Sequence, residues 1–310
     1  MQIPDHRAPP SAWRRMLGGL RSQERHTPMC PMTPRLDGRT AIVTGATGGI
    51  GLEIARGLAQ RGAALILPCR NPEKGARVAG ELRAAAQGEA RVDQVAMDLE
   101  DLESVRSGAA AIAALLAGRP VDLLVENAGV WPRELARTRQ GHEIAFGVNV
   151  LAHFALRRDL ERRGLLPAAR VVVVTGDIYV LESDCTPDFA YGGAFGGMRA
   201  YCRSKLGNLW IASELSLRAS ALEVRAVHPG VVATGLGGAG SALERAFKRR
   251  FFLSAERGAQ MPLVCATQPD MESGGYWHNV HGRMRLAPRD AACDVAAAAR
   301  LWDLCERLSA

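Results

Sequence analysis

Read for its apolar and polar positions, the chain is irregular before Thr40 and alternates strand and helix patterns after it. "TAIVT" (40–44) is a short apolar run that ends in glycines and opens an amphipathic stretch from Ile50 to Arg61. "AALILPC" (63–69) is a second run, and "NPEKGARVAGELRAAA" after it has helical spacing. "VDQVAM" leads to Asp98, and a helix is predicted from about Leu102 to Leu116. "VDLLVE" (121–126) and "RVVVVT" (170–175) read as the fourth and fifth strands, separated by a long helical pattern from Gly141 to Leu165. A helix from about Arg199 to Arg218, a sixth strand "EVRAVH" (223–228) and a weak seventh, "GGYWHN" (274–279), follow. The closing "DVAAAARLWDLCERL" is an amphipathic helix. Continuous apolar strands between helices predict an α/β fold, a parallel sheet of about seven strands covered on both faces. No repeat or linker divides residues 37–310, which read as one domain.

Residues 1–36 read as a tail of Pro, Arg and polar residues. One reading is a disordered or misassigned start, with Met29 or Met32 as alternative beginnings. The other is a surface-binding amphipathic helix with Trp13, Met16, Leu17 and Leu20 on one face. The tail carries six arginines against Asp5 and Glu24, a net +4 of the chain's +7. The remainder is mildly basic and lacks the aromatic-plus-basic arrangement expected for nucleic acid.

The 310 residues, 47 % of them hydrophobic, suit one large α/β domain or two small ones. No apolar run reaches the roughly 18 residues of a spanning helix, and the start lacks the charged-then-apolar order of a secretory signal. Seven scattered cysteines without a CxxC fit reduced thiols and a cytoplasmic protein. Only three of the 39 basic residues are lysines, so Lys205 stands out.

The candidate chemistry begins at "TGATGGIG" (44–51). Gly45, Gly49 and Gly51 permit a tight turn and close backbone approach to a pyrophosphate at a helix N-terminus. At the end of the second strand, where an acidic residue would bond the ribose of NAD, stands "CRN". Arg70 instead suits the 2′-phosphate of NADP. Asp98 could accept a hydrogen bond from an adenine amino group or cap the next helix. "YCRSK" puts Tyr201 and Lys205 on one helical face, where an adjacent ammonium favours the phenolate and prepares the pair for proton exchange with a carbonyl or alcohol oxygen.

TGxxxGIG, Asp98-Leu99, "NAG" (127–129), "FGVNV" (146–150), YxxxK and "HPGVVAT" (228–234), in this order, resemble the signature series of the short-chain dehydrogenase/reductase family. "CRNPEKG", "YCRSKLGN", "AERGAQ" and "RLWDLCERL" resemble most its retinol-dehydrogenase-like branch, and the resemblance covers about residues 37–310. It implies a doubly wound Rossmann-type fold and an NADP-dependent exchange of hydride between nicotinamide and a carbonyl/alcohol pair. The implied acid/base is Tyr201, tuned by Lys205, with Asn149 holding a relay water. The implied cofactor residues are Gly45, Thr47, Gly49, Ile50 and Gly51 at the pyrophosphate, and Arg70, Asn71, Asp98 and Leu99 toward the adenosine. Asn127, Ala128 and Gly129 would lie beneath the ribose; Pro229, Gly230, Val232 and Thr234 would cradle the nicotinamide amide. The branch implies a lipophilic substrate such as a retinoid, steroid or polyketide, and the family a homodimer or homotetramer.

One position departs from the pattern. The catalytic serine expected at the end of the fifth strand is Gly176, preceded by Thr175. Three accounts stay open: Thr175 supplies the hydroxyl after a backbone shift; Asp177, Tyr179 or Ser183 takes over; or nothing replaces it. In the last and favoured account, Tyr201 and Lys205 act alone on an easier or slower substrate, and Gly176 makes room for a bulky ligand. The alternative function is a member that binds NADP(H) but is non-redox or has lost dehydrogenase activity. A protein-interaction module using the tail has little support. Glu126, where the family has asparagine, is assigned no role. "HNVH" (278–281) reads as loop histidines rather than a metal pair. "ALERAFKRRFFLS" (242–254) reads equally as an amphipathic substrate cover, with Phe247, Phe251 and Phe252 beside Lys248, Arg249 and Arg250, or as a plain surface helix.

Overall fold

The computed structural model describes residues 22–86, 91–233 and 252–310. Eight strands form one sheet: β1 (Thr40–Val43), β2 (Ala64–Cys69), β3 (Val92–Ala96), β4 (Leu123–Glu126), β5 (Arg170–Val174), β6 (Glu223–His228), β7 (Gly275–His278) and β8 (Gly282–Arg283). The order is β3-β2-β1-β4-β5-β6-β7-β8. Every pairing is parallel except β7 with β8. The sheet thus has one strand more than expected, a two-residue antiparallel edge too short to leave a hydrophobic pattern.

Side chains of successive strand residues leave the sheet on opposite faces, and both faces are apolar. Val172 and Val174 of β5 pack with Ala41 and Val43 of β1 on one face, while Val171 and Val173 join Ile42 on the other. The first face is covered by α1 (Gly49–Gln60), α2 (Pro72–Ala85) and α6 (Ala255–Thr267). The second is covered by α3 (Leu102–Leu116), α4 (144–162), α5 (Gly196–Arg218) and α7 (Val295–Leu308). Helix α4 runs as Ile144–Phe146, a π-helical turn Gly147–Leu151, and Ala152–Arg162. The π-turn takes in the last four residues of "FGVNV" and Leu151, where the sequence pattern predicts an unbroken helix.

Helix starts follow their capping residues. Asn71 accepts from the Lys74 N–H at 2.8 Å with Pro72 behind it, and Asp294 accepts from the Ala297 N–H at 2.8 Å. Asp101 caps α3 through the Glu103 N–H at 3.0 Å, so Asp98 is not that cap. Helix α6 has no counterpart in the sequence reading, because Gly258 and Pro262 interrupt its pattern. Ser254 caps it at 3.1 Å, and its face of Met261, Leu263 and Val264 is buried.

Residues 22–36 differ from the tail expected over 1–36: they fold onto the domain. Gln23 and Thr27 are buried, Thr27 accepts from the Asn279 amide at 2.9 Å, and the Gln260 side chain accepts from the Cys30 N–H at 2.9 Å. These are long-range polar contacts without an apolar stripe, so no periodicity announces them. Trp13, Met16, Leu17 and Leu20 lie outside the described residues, as do 242–251 of the expected cover. All seven cysteines are free thiols. Among the described residues no helix is long and apolar enough to cross a membrane.

Candidate active site

In the order β3-β2-β1-β4-β5, the connections leave β1 and β4 toward opposite sides, which opens a crevice at the carboxyl ends of the strands. A cavity of about 1120 Å³ lies there. It is bordered by Gly45, Thr47, Gly49, Ile50, Gly51, Arg70, Asn71, Asp98, Leu99, Asn127, Ala128, Gly129, Tyr201, Lys205, Pro229, Gly230 and Val232. Of the residues expected at the site, Asn149 stands behind the cavity wall and Thr234 lies outside the described residues.

The glycine turn is fixed by what it touches. Gly45 and Gly49 have φ of +68° and +55°, in the left-handed region that favours glycine. A Cβ on Gly45 would come within 2.8 Å of the Ala128 Cα, and one on Gly51 would run into the Asn127 amide and the Gly45 carbonyl. The turn therefore seats directly on the "NAG" segment. Thr44 ties the two together: its Oγ1 accepts from the N–H groups of Asn127 (2.9 Å) and Ala128 (3.0 Å), and its carbonyl accepts from Asn127 Nδ2 at 2.9 Å. Helix α1 starts at Gly49 without a side-chain cap. Its first-turn N–H groups thus face the crevice over a Cβ-free surface, the form that receives a pyrophosphate.

Beyond this turn, Arg70 is exposed and bonds Glu100 at 2.6 Å. Asp98 accepts from the Glu100 N–H at 3.1 Å. Lys74, from the first turn of α2, brings its Nζ to 3.9 Å from where a Gly48 Cβ would stand. The sequence reading passed over Lys74, although its being one of three lysines is a signal that could have raised it.

Behind the wall, Asn149 in the π-turn accepts from the Val130 N–H (2.7 Å) and donates to the Val130 carbonyl (3.0 Å) and Ser204 Oγ (2.8 Å). Its carboxamide thus ties Val130, the residue after "NAG", to α5. His153, one turn on, donates from Nδ1 to the Asn149 carbonyl (3.2 Å) and meets Thr44 Oγ1 at 2.9 Å. Burial drives its pKa down to about 4 and keeps the ring neutral. Glu126 and Arg157 form a buried pair at 3.0 Å under this floor, with the guanidinium over the rings of Phe154 and Trp302. Burial raises the Glu126 pKa against the pull of Arg157.

Tyr201 and Lys205 share a face of α5, with Lys205 Nζ 5.4 Å from the Tyr201 ring centroid and donating to the Val174 carbonyl at 3.0 Å. Burial lowers the Lys205 pKa to about 8. Desolvation by its surroundings pushes the Tyr201 pKa well above its usual range, although the ring borders the cavity.

The positions around Gly176 are clear. Thr175 donates its hydroxyl to the Lys205 carbonyl at 2.7 Å and is buried. Tyr179, fully buried, donates to Asp290 at 3.1 Å. The Asp177 carboxylate accepts from Tyr276 and from His278 Nε2, the latter at 3.2 Å. Ser183 is exposed and does not border the cavity. Among the described residues no three His, Cys, Asp or Glu side chains are grouped to hold a metal ion. Further residues at the cavity wall include Gln23, Trp131, His228 and Phe252. Trp131 lies two residues past "NAG" and His228 opens the quoted "HPGVVAT"; Gln23 gives no sequence signal at all.

The short chain dehydrogenase family model matches residues 39–242. Retinol dehydrogenase 12 of Mus musculus is 36 % identical over 293 residues, covering 90 % of this chain and 89 % of its own. Dehydrogenase/reductase SDR family member 13 of Bos taurus is 37 % identical over 295 residues, covering 91 % and 76 %. Among solved structures, an uncharacterised protein from Mycobacterium Paratuberculosis matches with a TM-score of 0.67 and 31 % identity over 89 % of this chain and 95 % of that one. A short chain dehydrogenase from Burkholderia cenocepacia J2315 in complex with NADP matches with a TM-score of 0.61 and 25 % identity over 80 % and 99 %. With the matched family spanning most of the sheet and every one of these chains covered over most of its length, the protein belongs to the short-chain dehydrogenase/reductase family.

Proposed function

We propose that this protein is an NADP(H)-dependent oxidoreductase that reduces a carbonyl on a lipophilic substrate. The observation that carries the reading is Tyr201 and Lys205 on one face of α5, at the rim of the cavity that also holds the uncapped glycine turn. The residues present fit a dinucleotide: the Cβ-free turn for its pyrophosphate, and Arg70 and Lys74 at the far end for a 2′-phosphate. A nicotinamide bound there supplies the hydride.

The chain's own residues do the rest. A phenol held protonated by its surroundings is a proton donor, so Tyr201 gives its proton to the carbonyl oxygen as charge develops there. The Lys205 ammonium, anchored on the Val174 carbonyl, stabilises the phenolate that remains. Asn149 acts by position, holding Val130 and Ser204 against the base of the site. The substrate side carries Trp131, Ile178 and Phe252, apolar surfaces that suit a lipophilic ligand and agree with the retinol dehydrogenases among the relatives.

The test is NADPH titration by fluorescence, then oxidation of the bound reductant with all-trans retinal, decanal, 4-nitrobenzaldehyde and cyclohexanone. Turnover that Tyr201→Phe reduces by on the order of 10²–10⁴ is expected for loss of a general acid. Tight NADPH binding with no turnover on any of these would favour the alternative, a cofactor-binding member without dehydrogenase activity.

A further inference from the structure

Building on the redox reading, we propose that Gly176 sets the substrate class. The space its side chain would fill takes a substituent beside the reacting carbonyl, so the site is shaped for ketones and secondary alcohols with a carbon arm on each side. Two ordinary reasons for a glycine are absent here. The backbone at Gly176 is extended, with φ −167° and ψ 143°, a conformation open to any residue. The neighbours do not exclude a side chain either. A Cβ would stand 3.9 Å from His228 Nδ1 and 3.9 Å from Ile178 Cγ2, and among the described residues nothing beyond its chain neighbours is nearer. Gly45 and Gly51, in the wall of the same cavity, are the contrast, since a Cβ on either collides with the "NAG" segment. The missing side chain at Gly176 therefore leaves open space, and that space belongs to the cavity bordered by Tyr201 and Lys205.

The frame keeps the space open. On one side the end of β5 is tied to α5. The Val174 carbonyl accepts from Lys205 Nζ at 3.0 Å, and Thr175 donates its hydroxyl to the Lys205 carbonyl at 2.7 Å. On the other side it is tied to β6. The Thr175 N–H donates to the Val227 carbonyl at 2.8 Å, and the Asp177 N–H donates to His228 Nδ1 at 3.3 Å. The Tyr179 N–H closes the next turn on the Gly176 carbonyl at 3.1 Å. A segment pinned on both sides relaxes little into a gap.

The walls favour hydrocarbon. Ile178 presents a methyl group, and the imidazole nitrogen beside the gap already accepts from Asp177. Polar side chains of the same segment are engaged: Thr175 with Lys205, Tyr179 with Asp290, and Asp177 with Tyr276 and His278. An aldehyde has only hydrogen on its second side and leaves this space to water. A ketone arm fills it and gains contact with Ile178 and the ring.

The experiment compares wild type, Gly176→Ala and Gly176→Ser with NADPH and a series in which the second arm grows: decanal, 2-decanone, 3-decanone and 2-methyl-3-decanone. Wild type should prefer the ketones with ethyl and isopropyl arms. Each variant should lower kcat/KM for those two, relative to decanal, by about tenfold or more, the usual effect of methylene-sized changes in an apolar pocket. A second readout needs no turnover. In the NADP⁺ complex, 2-methyl-3-decanol should bind about tenfold tighter to wild type than to either variant, by quenching of intrinsic fluorescence, while 1-decanol binds all three alike.

An unchanged ratio of isopropyl ketone to decanal in both variants, or a Gly176→Ser that speeds all four probes equally, would overturn the assignment; the glycine would then be only a lost hydroxyl. Failure of the redox reading looks different. Wild type would bind NADPH and reduce none of the series, and the alcohol binding comparison would decide the pocket by itself.

Discussion

The indole of Trp131 lies flat on the ring of Tyr201, with centroids 4.8 Å apart and planes 4° from parallel. Trp131 follows the "NAG" segment at the end of β4, and Tyr201 comes from α5. The stack joins two motif-bearing elements and fixes the plane of the proposed acid. Such a pair contributes on the order of 0.5–1.5 kcal/mol, enough to hold one ring orientation. Trp131→Ala should release the phenol and lower kcat by up to about tenfold, since 1.4 kcal/mol corresponds to one decade. Trp131→Phe should keep most of the rate, and NADPH affinity should change little in either. Steady-state kinetics with a parallel NADPH titration decide it; an unchanged kcat in Trp131→Ala would show that the stack positions nothing.

Lys205 gives the site a pH limit. Burial lowers its pKa to about 8 from an ordinary 10.5, so the ammonium is present below about pH 8 and is lost above it. The rate of carbonyl reduction should be level near neutrality and fall as pH rises through 8, by about tenfold per unit if the charge is required. Tyr201, pushed upward, adds no limb in that range. Stability runs the other way. Between about pH 8 and 10.5 the unfolded chain binds the proton that the folded chain has released, so this group's contribution to stability rises with pH there. A kcat/KM profile flat to pH 9.5 would remove Lys205 from the proton chemistry.

Most of the sheet could be read from the chain because its strands are apolar on both faces, as "RVVVVT" and "TAIVT" are, and its turns carry glycine. The positions of Gly45 and Gly51 could be read for the same reason: a side chain at either would collide with Asn127, Ala128 or Gly45 itself. What could not be read depends on contacts between distant segments. The pKa of Tyr201 depends on how closely the fold surrounds it, and the sequence spacing of tyrosine and lysine says only that they share a face. Helix α6 hid behind Pro262, and Glu126 found its partner Arg157 thirty-one residues away across α4. His228 was quoted within "HPGVVAT" but carried no assigned part, because its bond to the Asp177 N–H exists only once β5 and β6 lie side by side.

The cofactor preference makes a two-sided prediction. Arg70 is the expected 2′-phosphate partner, yet it bonds Glu100 at 2.6 Å on an exposed surface, and Lys74 overhangs the glycine turn. An exposed pair of this kind contributes at most about 1 kcal/mol, which a phosphate with two cations outweighs. Arg70→Ala and Lys74→Ala should each weaken NADPH by roughly tenfold or more with little effect on NADH, because a charge-assisted hydrogen bond contributes about 1.5–3 kcal/mol. Glu100→Gln should strengthen NADPH by freeing Arg70 from its competitor. Fluorescence titrations with both nucleotides test all three; equal losses for NADPH and NADH would place these cations away from the 2′ position.

Gln23 carries the last prediction. Its carboxamide accepts from the Val231 N–H at 2.9 Å and donates to the Val231 carbonyl at 3.2 Å, closing a two-bond clamp across 208 residues of sequence. The clamp sits one residue past Gly230, whose φ of +97° and crowding by Asn279 and Leu253 leave no room for a side chain. Pro229, Gly230 and Val232 are the residues proposed to cradle the nicotinamide amide, so residues 22–31 act as a strap on that loop. Arg257 holds the strap from α6 through the carbonyls of Glu24 (2.6 Å) and Thr27 (3.2 Å). Gln23→Ala removes both bonds to the half-buried Val231 backbone and should cost about 1–3 kcal/mol where they are made. The loss should appear as weaker NADPH binding and a higher KM for it, with smaller effects on an adenosine fragment such as 2′-phospho-ADP-ribose, which does not reach the loop. Gln23→Glu keeps the acceptor and loses the donor, and should fall between. Equal losses for NADPH and the fragment would mean that the strap supports the whole fold rather than the nicotinamide end.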